Sequence, residues 1–443
     1  MPKTSRGKQL SRCVLPILTG CILAIVYFTG IRIVPFHPDE STTIFMANDF
    51  KRYLSDPFSL MYQSTDISDP IENLRQHYRL IDAPLTRYII GFGLALQNQT
   101  PIYTDWNWSS TWEENQSMGA LPTERILFVS RISVAGLFLL TLLLSYLIGK
   151  NLFGPLAGEI LLILTGTHAL YLLHTRRAMA EGALIFSIYL VLWLLPHARS
   201  KPVWLGLAAG LAFCAKQSLI PLAAVAGIAV LLPDPADDQF QWKVSILKGL
   251  KFFITFLAIF MLFNPVYWSD PIGVIKIGLD ERHVLLQSQI ADWGDYSLLT
   301  APVTAILFYL ANSFFLPPAY AEATNYLTAT AKQVELYQSN SINTLLSGVF
   351  WGSLLMIFSL TGVIFLLKNL HKFDSGKRRT IILYISVAVL QLFFTLIFLP
   401  IPWQRYVLPT VPYVLIFASY AVHELILMGK AKLLPVKNLQ EQL

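Results

Sequence analysis

A chain of 443 residues with 54% hydrophobic and 14% charged residues, at a mean hydropathy of +0.54, carries more apolar surface than a water-soluble domain can bury. Its formal net charge of +6 does not point to nucleic acid, because Lys and Arg gather in short segments between apolar runs, as cytoplasmic loops do in multi-pass membrane proteins. The three cysteines, Cys13, Cys21 and Cys214, lie in or beside apolar runs without ligand or disulfide spacing and give no chemistry.

The first apolar run, VLPILTGCILAIVYFTGIRIV, is too long for a signal-peptide core and has no small-residue cleavage site, so it reads as a retained helix. Further runs follow, for about ten spans near 14–34, 126–148, 155–174, 179–195, 203–217, 219–233, 249–267, 344–367, 380–399 and 406–428. The expected fold class is an all-α polytopic membrane bundle forming a single domain. Placing MPKTSRGKQLSR, GKN, HARSKP, KNLHKFDSGKRRT and GKAKLLPVK in the cytoplasm gives a consistent alternation with both termini inside. Residues 35–125 and 268–343 then form two large extracytoplasmic loops, with shorter outer turns at 175–178 and 400–405.

Two apolar stretches within those loops fit helices lying in the interface. APLTRYIIGFGLALQN carries Arg87 and a polar end, and SLLTAPVTAILFYLANSFF, if it crossed, would put the basic segment 368–379 outside. Aromatics such as Trp106, Trp108, Trp112, Trp268 and Trp293 are each, taken singly, accounted for by a membrane-interface belt. No internal repeat or low-complexity segment marks off a soluble domain. The triplets starting at Asn98, Asn107 and Asn115 fit the glycosylation sequon, a pattern frequent by chance.

The chemistry is concentrated on the outer side. In PFHPDESTTIFMANDF, Pro35 and Pro38 stop the first helix and His37, Asp39 and Glu40 follow at once. Asp39 is placed to N-cap a helix with Met46, Phe50, Tyr53 and Leu54 on one face and Asn48, Asp49, Lys51 and Arg52 on the other. A carboxylate beside lipid also loses hydration, which strengthens it as a base toward a hydroxyl. Glu181, in HTRRAMAEGALIF, is an acid inside an apolar stretch, where an ionisable side chain points to function or to an ion pair, here with Arg176 or Arg177. Asp82 precedes APLTRY, where a cap is the simplest role. Arg405 and Tyr406, in IPWQRYVLPTVP, lie at the outer mouth of the last span, with Arg87, Arg176 and Arg177 at similar depth, and guanidinium groups there suit a lipid-borne phosphate. Acid to activate an acceptor and arginine to hold a leaving phosphate together suggest group transfer. Carboxylates and imidazole bind several divalent ions, so a metal at His37, Asp39 and Glu40 stays open at this point.

The arrangement resembles the GT-C superfamily of polytopic glycosyltransferases that use polyprenyl-phosphate sugars, above all the dolichyl-phosphate-mannose protein mannosyltransferases and the bacterial lipid A aminoarabinose transferases. HPDESTTIFM stands where that family has an Asp-Glu pair after its first span, DAPLTRYIIG where it has a Pro-Pro-Leu turn, and FNPVYWSDP and WQRYVLPTVP look like its later motifs. HPDE is also similar to the mannosyltransferases of lipid-linked oligosaccharide and glycolipid-anchor assembly. The chain departs from the pattern at Ala83-Pro84 and at Asp82, where the family has a basic residue or histidine.

The resemblance implies a GT-C-like bundle with outer-face interfacial helices and an inverting hexosyl or pentosyl transfer from a polyprenyl-phosphate sugar to a lipid, glycan or protein acceptor. Asp39 would be the general base, Glu40 its orienting or metal-binding neighbour and Glu181 a second acid. Arg405 and Arg87 would be candidates for the donor phosphate. The site would face the exterior of a bacterial plasma membrane or the endoplasmic reticulum lumen. The competing classes are a lipid or small-molecule transporter with Glu181, Arg176 and Arg177 along its path, for which two similar halves would be expected, and a non-catalytic subunit of the same fold.

Overall fold

The computed structural model describes residues 5–64, 67–233, 241–398 and 401–433. Among them the chain is all helix, turn and loop, without a strand. Six helices are long and apolar enough to cross a bilayer: Glu124–Phe153, Ala180–His197, Trp242–Phe263, Gly348–Lys372, Ser375–Phe398 and Gln404–Lys430. Pro155–Thr167 and Ala169–Thr175, bent by 56° at His168, pass the same test only together, and make a seventh if taken as one broken span. Among the described residues the ten apolar runs of the sequence thus include six or seven candidate spans, besides the first helix. The first helix, Ser5–Thr29, has 25 residues, whereas Pro202–Ala215 and Gln217–Leu231 are shorter because the chain breaks at Lys216. At 1.5 Å per residue the 14 residues of Pro202–Ala215 rise about 21 Å against a hydrocarbon core of about 30 Å. Val303–Phe315, with 13 residues, is short for the same reason.

One end of the bundle is basic. Arg199 donates to Leu232 O and Ser245 Oγ, each at 2.9 Å, and Arg379 reaches Leu232 O at 3.2 Å, so the helix ends near 199, 232, 245 and 379 converge. The opposite ends of Ala180–Leu194 and Pro202–Ala215 carry Glu181 and Lys216, and Arg405 follows the far end of Ser375–Phe398 in sequence. The two outer segments lie there and interlock: Phe36 N donates to Gln333 Oε1 at 2.8 Å, and Asn325 Nδ2 to Trp108 O at 3.0 Å. Trp106 is buried against Phe36, Trp112 and Tyr326, so it packs between the segments rather than serving as a belt residue.

Small residues let the spans approach closely where no aqueous driving force acts between them. A Cβ on Gly149 would lie 2.8 Å from Ala157 O, and one on Gly362 would lie 2.0 Å from Phe417 O. Replacing Gly362 by Val therefore forces the Gly348–Asn369 and Val411–Leu433 helices apart. The expected cost is about 1–3 kcal/mol, seen as earlier thermal unfolding in detergent; an unchanged melting temperature would show that this contact does not form.

Candidate active site

Pro38 ends the irregular stretch after the first helix and opens Pro38–Met46, with the fixed φ that suits a first helical turn. The N-cap is His37, not Asp39: His37 Nδ1 accepts the Asp39 N–H at 3.1 Å, and Glu40 reaches back to the His37 N–H at 3.1 Å, completing a capping box. Asp39, relieved of capping, points outward with its side chain 35% exposed. The helix breaks at Ala47, so the expected two-faced helix does not continue. Asp49 turns inward, only 1% exposed, and Leu54 is exposed.

Glu40 is enclosed and engaged by protein on both oxygens. Arg131 Nε and Nη2 donate at 2.8 and 2.7 Å, and Ala178 N donates to Oε1 at 2.8 Å. Burial opposes its ionisation, but Arg131, that backbone donor and Arg177 outweigh it and hold the carboxyl below the usual range. Asp49 is also held low: burial is outweighed by Arg79, which pairs at 3.0 and 2.7 Å, and by Arg87 at 3.2 Å. Carboxyls depressed in the fold contribute stability present above their unfolded values, 4.5 for Glu40 and 3.8 for Asp49, and lost as pH falls through the folded ones. Thermal stability should accordingly fall once pH drops below about 4.5, with Asp49→Asn flattening the lower part of that fall; a wild-type profile flat to pH 3 would contradict it.

His37 is buried, and burial lowers its pKa to about 3, leaving it neutral at ordinary pH. Its accepting Nδ1 assigns the proton to Nε2, which lies 3.1 Å from Glu322 Oε2. Glu322 in turn lies 3.1 Å from Arg405 Nε, and Arg405 Nη1 pairs with Asp39. Asp39, Arg405, Glu322 and His37 thus close a ring joining the first outer segment, the second and the mouth of the last span. The Arg405 guanidinium sits 4.5 Å over the Trp403 ring and 5.5 Å over that of Tyr406.

This ring opens on a cavity of about 680 Å³. Asp39, Asp82, Arg87, Glu181, Arg405 and Tyr406 all line it, so six of the ten residues singled out in the sequence share one space. The partner of Glu181 is Lys216, at 2.9 Å, rather than Arg176 or Arg177. Arg87 is largely committed: besides Asp49, it donates to Asp82 O at 2.7 Å and Tyr78 O at 3.3 Å. The other four do not reach the cavity. His37 and Glu40 lie behind Asp39. Arg176 bonds Tyr27 O, Val26 O, Tyr337 Oη and Asn343 Oδ1, and Arg177 bonds Pro35 O and Tyr320 O, so Arg176 ties the first helix, and Arg177 the start of the first outer segment, to the second outer segment. Asp82 caps nothing with its side chain. It is the C-terminal residue after Pro70–Ile81, and the next helix starts from Pro84 without a side-chain cap.

Lys216 and Glu322 escaped the reading of the sequence. Lys216 is a lone cation between two apolar runs, the signal that singled out Glu181; Glu322 sits in a loop with no pattern around it. Lys216→Met leaves Glu181 beside the membrane without its cation, and a loss of about 3 kcal/mol in stability is expected, with Glu181→Gln in the same chain restoring most of it; no loss in the single variant would show the pair to be solvated.

The residues do not fit a divalent ion at HPDE. Among the described residues no three metal-ligating side chains converge, the Glu40 oxygens face Arg131, and Asp39 faces Arg405.

Asn115, third of the sequon residues, is buried with its amide bonded to Asn107 N and O and Thr111 O, at 2.8, 2.9 and 2.9 Å, which leaves no free amide for a glycan.

No family model and no curated protein matches the chain. Among solved structures, the archaeal oligosaccharyltransferase AglB from Archaeoglobus fulgidus, in complex with an inhibitory peptide and a dolichol-phosphate, is 10% identical and overlaps 92% of this chain at a TM-score of 0.48. The Archaeoglobus fulgidus oligosaccharyltransferase in the apo form is 12% identical over 93% of the chain, also at 0.48. The chain spans 50% of the length of each of these structures.

Proposed function

We propose that the protein is a GT-C-like membrane glycosyltransferase that moves a sugar from a polyprenyl-phosphate donor to an acceptor hydroxyl, on the membrane face opposite the basic segments. The observation that carries this reading is the cavity itself: an accessible carboxylate, Asp39, is held by a guanidinium, Arg405, with a second cation, Lys216, lining the same cavity.

The chemistry follows from those groups. A phosphate diester arriving on its polyprenyl chain competes with Asp39 for Arg405, whose planar donors suit two phosphate oxygens. Arg405 stays anchored by Glu322 while it turns its charge to the phosphate, and Asp39 is released toward the acceptor. The acceptor oxygen attacks the anomeric carbon opposite the phosphate, its proton passes to Asp39, and the bond from anomeric carbon to phosphate oxygen breaks. Polyprenyl phosphate leaves with the bonding pair, neutralised by Arg405 and Lys216, and the configuration at the anomeric carbon inverts. Donor and acceptor held on one membrane face lose little further freedom in reaching this geometry. A translocation path would instead call for charged sites near the bilayer midplane, whereas these residues come from helix ends.

Binding of bare polyprenyl phosphate to the purified protein tests the reading. Arg405→Gln should weaken it by about ten-fold or more, while Arg199→Gln, at the basic end, should leave it unchanged. Equal binding in wild type and Arg405→Gln would refute it.

A further inference from the structure

The cavity has a second polar edge. Pro70–Ile81 packs on Pro271–Trp293, with His77 Nδ1 3.0 Å from Glu281 Oε2, and a Cβ on Gly278 would stand 3.1 Å from Leu80 O. This packing delivers Asp82, at the end of the first helix, and Arg282, next to Glu281 on the second, to one wall of the cavity.

Neither is satisfied. The Asp82 carboxylate accepts no hydrogen bond and has no cation within 4.0 Å among the described residues; the Arg282 guanidinium likewise has no hydrogen-bond or ion-pair partner there. Burial raises the Asp82 carboxyl above its ordinary range, and Arg282 is the largest influence against that rise, so the two sense each other across a gap. Elsewhere on the cavity wall Asp39 is paired with Arg405, Glu181 with Lys216 and Arg87 with Asp49, while Asp292 stands exposed to solvent.

Opposite charges facing each other without touching select for a particular ligand. An anion is repelled by Asp82 and a cation by Arg282. A neutral polyol satisfies both, donating hydroxyl hydrogens to the carboxylate and accepting from the guanidinium through its oxygens. We propose that Asp82 and Arg282 form a subsite for a neutral polyhydroxyl group, either the sugar on the donor or a sugar on the acceptor. The proposal rests on the glycosyltransferase reading and adds to it the group that the far wall recognises.

The test uses the full-length protein with Asp82→Asn and Arg282→Gln, bare polyprenyl phosphate, and a panel of polyprenyl-phosphate sugars beginning with mannose. If the donor sugar fills the subsite, wild type binds one glycosylated lipid more tightly than the bare one. Each variant should then lose about ten-fold or more of that advantage while binding the bare lipid as before. If an acceptor sugar fills it, both lipids bind normally, and the amount of membrane extract giving half-maximal transfer rises by a similar factor. Two variants that melt like wild type, with lipid binding and acceptor dependence unchanged, overturn the proposal. Arg282, on a solvent-facing helix, decides if Asp82→Asn misfolds. Wild type binding neither lipid overturns the glycosyltransferase reading itself.

Discussion

Asp39→Asn is expected to lower sugar transfer by about 10²–10⁴-fold, the range supplied by a positioned general base, while the protein still inserts and folds. The amide keeps the shape of the carboxylate and the helix keeps its cap, because His37 and Glu40 make it. Arg405 retains Glu322 at 3.1 Å, so no buried cation is stranded. What is lost is the anion that takes the acceptor proton. Donor binding should be preserved or strengthened, since Arg405 no longer divides itself between Asp39 and the phosphate. A fall in turnover with unimpaired lipid binding is therefore the expected signature in single-turnover assays on purified protein. Substantial retained turnover would remove Asp39 as the base.

The largest effect on stability is expected from Arg131→Met. Glu40 is 0% exposed and Arg131 4%, and this pair anchors HPDE to the Glu124–Phe153 span, with Arg131 Nη1 also reaching Ile31 O and Val34 O at 3.2 and 3.0 Å. Removing the guanidinium leaves a buried carboxylate with only backbone donors, a loss of about 3–5 kcal/mol. Arg131→Met with Glu40→Gln should recover much of it, because the uncompensated charge then disappears. The check is thermal unfolding of the purified single and double variants; a double variant no better than the single would show that the guanidinium matters through its carbonyl contacts instead.

The apolar runs were legible because lipid demands them, and the basic segments because charge seldom crosses a bilayer. The interior of the outer segments was less so. Asp49 sits in a polar stretch and reads as solvated, yet it is buried because Arg79 and Arg87 arrive from two later helices, Pro70–Ile81 and Leu85–Leu96. Glu40 and Asp39 are adjacent and alike in sequence. Helix phase alone sends one into a buried ion pair and the other to the cavity, and His37 settles that phase by taking the cap. Arg176 and Arg177 had the right type and depth for a phosphate, but the backbone carbonyls of Val26, Tyr27, Pro35 and Tyr320 and the side chains of Tyr337 and Asn343 capture their donors. Arg405 escapes such capture because one of its two partners, Asp39, faces the cavity.

The most direct test is transfer by the purified protein from a panel of radiolabelled polyprenyl-phosphate sugars, starting with mannose, with total membrane extract as acceptor. The account predicts label moving from one donor into the extract with release of polyprenyl phosphate. A folded protein that consumes no donor in the panel would contradict it and return the cavity to a transporter or a non-catalytic subunit.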